Sequence, residues 1–137
     1  MSASFTIALD AMGGDNAPAI VVKGADLARR RFPGVRFRMF GDQAAIQPLM
    51  KRRKRLREIT EVVHTEDVIS NEMTLSVALR KGRQSSMQLA INSVRDGEAA
   101  GVVSAGNTGA LMAMAKLTLR TLPGIDRPAI AAIFPTI

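Results

Sequence analysis

Phe5-Thr6-Ile7-Ala8-Leu9-Asp10-Ala11-Met12-Gly13-Gly14-Asp15 is the stretch that decides the fold. A short apolar run stops abruptly at an aspartate and a Gly-Gly pair. Such a run predicts a strand buried on both faces, feeding a loop. Beyond the loop, Ile20, Val21, Gly24, Leu27 and Ala28 recur at helical spacing, while Lys23, Asp26, Arg29 and Arg30 fall on the other side. This predicts an amphipathic helix with Asp15 or Asn16 as N-cap, Pro18 in its first turn and Pro33-Gly34 at its end.

The same unit repeats down the chain. Residues 35–40 predict a second strand, stopped by Gly41-Asp42. A helix around Ile46, Leu49 and Met50 follows, with Pro48 near its start and basic residues on its C-terminal turns. Residues 59–64 read as a third strand, 65–73 as loop and 74–81 as a short helix. Met87, Ala90, Ile91 and Val94 set a helix that Ser85 or Ser86 caps and Gly97 terminates. Residues 99–104 predict a fourth strand, Gly106-Asn107-Thr108-Gly109 a turn, and 110–122 an almost uniformly apolar helix buried between layers. Residues 129–134 predict one more strand. Strands and helices in alternation, joined by short glycine-rich links, predict an α/β fold with a mainly parallel sheet and helices on both faces. Ile137 follows a strand-like run with no covering helix, so residues 1–137 are expected to be the N-terminal portion of a single larger α/β domain.

Composition narrows the chemistry. The 137 residues are 47% hydrophobic and 23% charged, which excludes disordered and low-complexity classes. There is no Cys, hence no disulfide, thiolate nucleophile or Cys-based zinc site. With His64 as the single histidine, a Ser-His-Asp triad would need it as base, and no multi-His metal centre is possible. No metal or cofactor is expected. Catalysis would rest on backbone amides, hydroxyls, carboxylates, Lys and Arg.

The formal charge of +7 comes from 19 Lys and Arg against 12 Asp and Glu. Six of those cations lie in Lys51-Arg52-Arg53-Lys54-Arg55-Leu56-Arg57, and without them the balance is 13 to 12. The block admits an alternative reading as a basic module for nucleic acid or anionic membrane. Against nucleic acid stands the lack of stacking residues, since the five aromatics are all Phe. No nucleic-acid partner is expected, and a solvated helix end is the plainer meaning. No signal or transit pattern precedes Asp10, and the longest apolar stretch, 110–115, is too short to span a bilayer. A soluble, cytoplasmic chain is expected.

Two loops sit where an α/β sheet places its ligands, after a strand and before a helix. The first, Asp10 to Asp15, carries Gly13 and Gly14, which free the backbone for close approach to an anion. It has neither the dinucleotide spacing nor a P-loop lysine. A tight turn with Asp15 as helix cap is the structural alternative. The second, Ser104-Ala105-Gly106-Asn107-Thr108-Gly109-Ala110, offers amides, two hydroxyls and an amide side chain for a phosphate or carbonyl oxygen. An N-cap at Asn107 or Thr108 is its structural alternative. Between them, Arg80, Lys81 and Arg83 precede Ser85-Ser86 at a helix start, a set suited to phosphate or merely a solvated basic turn. Arg127 before Pro128 is a further anion contact or a strand entry. His64, alone beside Thr65, Glu66 and Asp67, is more often structural than catalytic.

These strings, with Ala78-Leu79-Arg80, Ser85-Ser86-Met87 and Arg127-Pro128-Ala129, occur in the order seen in bacterial phosphate acyltransferases, which this chain resembles from about residue 5 to 136. Asn16 stands where that family often has His, and Gly82 where it usually carries a basic residue. The resemblance implies an isopropylmalate dehydrogenase-like three-layer fold in an enzyme that moves a fatty acyl group from acyl carrier protein to inorganic phosphate. It also implies a homodimer, possible peripheral membrane association, and a downstream glycerol-3-phosphate acyltransferase that consumes the acyl phosphate. Asn107, Asp10 and Asp15 are then the expected catalytic residues. Gly13, Gly14, Arg80, Lys81, Ser85, Ser86, Ser104, Gly106, Thr108, Gly109 and Arg127 are expected to bind substrate. Phosphate is placed on the Asn107-Thr108 helix start and on Arg80 or Lys81.

Overall fold

The computed structural model describes residues 3–136, so the expected break after Ile137 lies outside the described residues, as do Met1 and Ser2. In chain order the elements are β1 (Phe5–Asp10), α1 (Ala19–Arg31), β2 (Val35–Gly41), α2 (Gln43–Met50), α3 (Lys54–Glu58), β3 (Thr60–His64), α4 (Leu75–Lys81), α5 (Ser86–Arg95), β4 (Gly101–Val103) and α6 (Thr108–Leu119). The four strands form one sheet in the order β3-β2-β1-β4, and every pairing is parallel. The α/β class expected from the sequence is the class observed.

The period of two along β1 and β2 assigns residues to faces. Leu9, Phe37 and Met39 pack with Val22 and Ala25 of α1, Ile46 and Met50 of α2, and Leu56 of α3. Ala8 and Phe40 turn the other way and meet Ala90 of α5. Outside α5, a further cluster of Ala78, Met87, Ile91, Ala110 and Met114 joins α4, α5 and α6. Met39, Ile46 and Leu56 are fully buried, each contributing roughly 1.5–3 kcal/mol of transfer free energy.

Handedness explains the layers. Right-handed crossovers from β1 to β2 and β2 to β3 put α1, α2 and α3 on one face. The return from β3 to β4 travels the opposite way across the sheet, so α4 and α5 take the other face. The order therefore reverses between β1 and β4, and a sheet of this kind binds ligands at the carboxyl ends flanking that reversal.

Several local expectations are corrected. Neither Asp15 nor Asn16 caps α1 through its side chain; the helix begins after Pro18, and the Asn16 carbonyl accepts from Ile20 at 3.1 Å. The basic block does not extend α2. The chain turns at Lys51-Arg52 and starts the separate helix α3, while Asp42 caps α2 by accepting from Ala44 N at 2.9 Å. Strand β4 has three residues rather than six. Helix α6 starts earlier and stops earlier than expected, and it is not buried between layers. Only Ala110 and Met114 are buried, because nothing among the described residues packs over its Leu117 side. Residues 129–134 form no strand: no described strand lies alongside to complete a ladder, and their side chains are exposed.

Candidate active site at the carboxyl edge of β1 and β4

Asp10, the last residue of β1, is 2% exposed and lies at the centre of the site. Its Oδ1 accepts from Ser86 Oγ at 2.6 Å and from Met12 N at 3.3 Å. Its Oδ2 accepts from Ser104 Oγ at 2.7 Å. Ser104 Oγ in turn accepts from Gly106 N at 3.1 Å. One carboxylate thus ties together the loop after β1, the start of α5 and the loop after β4, which lie far apart in sequence. Hydrogen bonds to a charged acceptor are about twice as strong as neutral ones, so the junction is rigid.

The glycines are required by this junction. A Cβ on Gly13 would collide with Asp10 Oδ2 and lie 2.9 Å from Ser104 Oγ and 3.0 Å from Gly106 N. Gly14 has φ +98°, a conformation that L side chains rarely adopt, and a Cβ there would sit 3.0 Å from the Ala105 carbonyl. The two glycine-rich loops therefore press backbone to backbone. Sequence alone showed each loop; their contact is a product of β1 and β4 being neighbours.

Asn107 is the N-cap of α6. Its Oδ1 accepts from Ala110 N at 3.1 Å, and its Nδ2 donates to the carbonyls of Ser70 at 3.4 Å and Met73 at 3.3 Å. Among the described residues, the amides of Thr108 and Gly109 find no protein acceptor, as expected for the first turn of a helix. They are exposed beside the glycine loops, at the positive end of the α6 dipole. Ser85 caps α5, accepting from Gln88 N at 3.2 Å while its hydroxyl donates to the Gly82 carbonyl at 2.6 Å.

Asp10, Gly13, Gly14, Ser86, Ser104 and Gly106 are thus brought together, with Asn107, Thr108 and Gly109 beside them. Asp15 stands outside the buried junction; exposed, it accepts from Asn71 Nδ2 at 3.3 Å. Arg80 and Lys81 are exposed at the end of α4, and no described carboxylate pairs with them. Arg127 lies in the exposed stretch after α6, and no hydrogen bond or ion pair links it to these loops. His64 accepts from Gln43 N at 3.1 Å through Nδ1, a structural role at the start of α2.

The segment between β3 and α4 was read only as loop, yet it supports both helix starts. Thr65 Oγ1 donates to the Gln84 carbonyl at 2.5 Å, and the Asp67 carbonyl accepts from Ser86 N at 2.9 Å. Most of these contacts are made by carbonyls, which every residue has, so no side-chain pattern could have revealed them. Among the described residues there is no cluster of three or more His, Asp or Glu positioned to hold a metal. No described helix is long and apolar enough to cross a membrane.

Fold and site together define an α/β protein with an array of amides and hydroxyls at the topological switch point, the kind of place that receives anionic ligands. The sequence model of the fatty acid synthesis protein family matches residues 5–137, and the chain belongs to that family. It is 59% identical over 137 residues to the phosphate acyltransferase of Rhodospirillum rubrum, 57% to that of Paramagnetospirillum magneticum and 59% to that of Rhodospirillum centenum. Each comparison covers 100% of this chain and 39% of the relative.

Proposed function

We propose that the protein, at the length its relatives have, transfers a fatty acyl group from acyl carrier protein to inorganic phosphate, giving acyl phosphate for phospholipid synthesis. The observation that carries the reading is the pair of glycine loops locked by Asp10 beside the unpaired Thr108 and Gly109 amides. The identity to enzymes named phosphate acyltransferase supplies the reaction class.

In this reading a phosphate oxygen adds to the thioester carbonyl carbon, and the carbonyl electron pair moves onto oxygen. Collapse breaks the C–S bond, and the thiolate leaves to be protonated as free carrier thiol. Phosphate is itself the nucleophile, so the reaction requires neither a Cys nor a triad. What the protein must supply is position and donors for negative charge. The α6 start provides backbone donors, and Arg80 and Lys81 provide positive charge from the end of α4. Asn107, with both ends of its amide engaged, acts as a positioning residue that fixes where those donors point. A homodimer working in the cytoplasm at the membrane face, with glycerol-3-phosphate acyltransferase as consumer of the product, is the setting this reading entails.

The test is phosphate-dependent release of carrier thiol from an acyl carrier protein thioester, with Asn107→Ala as the diagnostic variant. Turnover should fall on the order of 10²-fold, as when the groups that orient a reaction are displaced by about 1 Å. Near-normal turnover removes Asn107 from the site, and thiol release independent of phosphate overturns the reaction itself.

A further inference from the structure

The end of the molecule opposite this site carries a second feature. Helix α1 runs back against the strands, so its C-terminal Arg29-Arg30-Arg31 lies at the amino edge of the sheet. Helix α3 immediately precedes β3 and lies at the same edge. Folding thereby adds three arginines to the block at 51–57. Residues 26–31 and 51–58 together hold nine of the chain's 19 cations and two of its 12 carboxylates, leaving ten of each elsewhere. All of the net charge sits at one end of an otherwise neutral chain.

The cluster is concave. Arg29, Arg30, Arg52, Arg53, Lys54 and Arg55 line a cavity of about 470 Å³ whose one carboxylate is Asp26. Three of the guanidiniums are hydrogen-bonded; Arg30, exposed, donates from Nη2 to Asp26 Oδ2 at 3.1 Å. Arg29 Nε donates to Asp26 Oδ1 at 2.6 Å, and Arg53 Nη1 donates to the Leu49 carbonyl at 2.8 Å. Both are partly buried, so their remaining N–H groups are offered at little further cost in side-chain order. The α1 dipole accounts for arginines in its last turn. It does not account for Arg52, Lys54 and Arg55 gathered against them, where like charges repel. One carboxylate against six cations leaves a charge of +5 that the fold itself does not neutralise.

We propose that this groove binds a soluble anion carrying several phosphates, at a site separate from the one at Asp10. Planar guanidiniums pair bidentately with phosphate oxygens, and a concave set of them matches adjacent phosphates better than a flat surface. The six residues of β1 rise about 20 Å in all, so an anion held here does not reach the glycine loops.

The experiment titrates the chain with inorganic tripolyphosphate at low and moderate salt, following heat of binding and the thermal midpoint. Tripolyphosphate should bind and raise the midpoint, with affinity falling steeply as salt rises and with monophosphate much weaker. Arg52→Ala with Arg55→Ala should weaken binding at least tenfold, since each removes a charge-assisted contact. Lys116→Ala with Arg120→Ala, which takes away the same charge elsewhere, should leave it within about twofold; circular dichroism checks that both variants fold. Equal losses in the two variants would mean attraction by net charge alone and would overturn the site, as would no binding at all. Binding to phosphatidylglycerol vesicles or duplex DNA without binding to tripolyphosphate would also overturn it, making the patch a macromolecular surface.

Discussion

Replacing Asp10 with Ala tests whether one buried carboxylate holds the site together. Ser86 is 1% exposed, and its hydroxyl donates only to Asp10, at 2.6 Å. The variant leaves that hydroxyl orphaned, at about 1–3 kcal/mol. It also removes the acceptor of Ser104 Oγ at 2.7 Å; that group is half-buried and keeps Gly106 N as a donor partner, so its loss counts less, about 1 kcal/mol. Together the loss should be about 2–4 kcal/mol, a large part of the stability of a domain this size. Urea unfolding followed by circular dichroism measures it as a lower midpoint at unchanged slope. Ser86→Ala made in the Asp10→Ala background should cost much less than in the parent, because its partner is already gone. Asp10→Asn should be milder, since the amide oxygen still accepts from one serine and its NH2 is able to donate to Ser104. A loss under about 0.5 kcal/mol for Asp10→Ala, or additive effects with Ser86→Ala, would refute the reasoning.

Gly14→Ala forces a left-handed backbone onto a residue with a Cβ and pushes that Cβ toward the Ala105 carbonyl; a loss of roughly 1–3 kcal/mol in the same urea assay is expected. Gly97→Ala is a useful contrast: φ +76° but open space around it, so only the conformational cost, about 1 kcal/mol, should appear. For Asp26, burial pushes the carboxyl up, but the Arg29 hydrogen bond and the charges of Arg29 and Arg30 outweigh it and hold it below the usual value of 3.8. Its stabilisation is therefore complete above that unfolded-state value and is lost as pH falls through the lower folded value. Asp26→Asn should cost roughly 0.5–1 kcal/mol at neutral pH and nothing at the acid end, read as a shallower acid limb in a pH series of thermal midpoints.

Much of the fold was legible because local chemistry and tertiary structure agree. The run ending in Asp10 is apolar toward both faces, and its second half is buried, Leu9 against α1 and Ala8 against α5, while Ser85 and Asn107 cap α5 and α6 as their types predict. The failures share a cause. Residues 129–134 have strand composition but no described ladder partner, and a strand is defined by pairing. The uniformly apolar α6 was expected to be covered on every side, yet composition records what a helix would tolerate, not what lies beside it.

By itself the sequence determined the class of fold, the two glycine-rich loops and the lack of Cys and of a second His within these 137 residues, since each follows from residue types and short-range spacing. Only the tertiary structure decided that Asp10, Ser86 and Ser104 meet, because strand order places β1 beside β4 and not in chain order. The same holds at the other end, where α1 and α3 bring Arg29 and Arg30 to the basic block. Those juxtapositions depend on crossover handedness and long-range packing, which act between segments dozens of residues apart and leave no local trace.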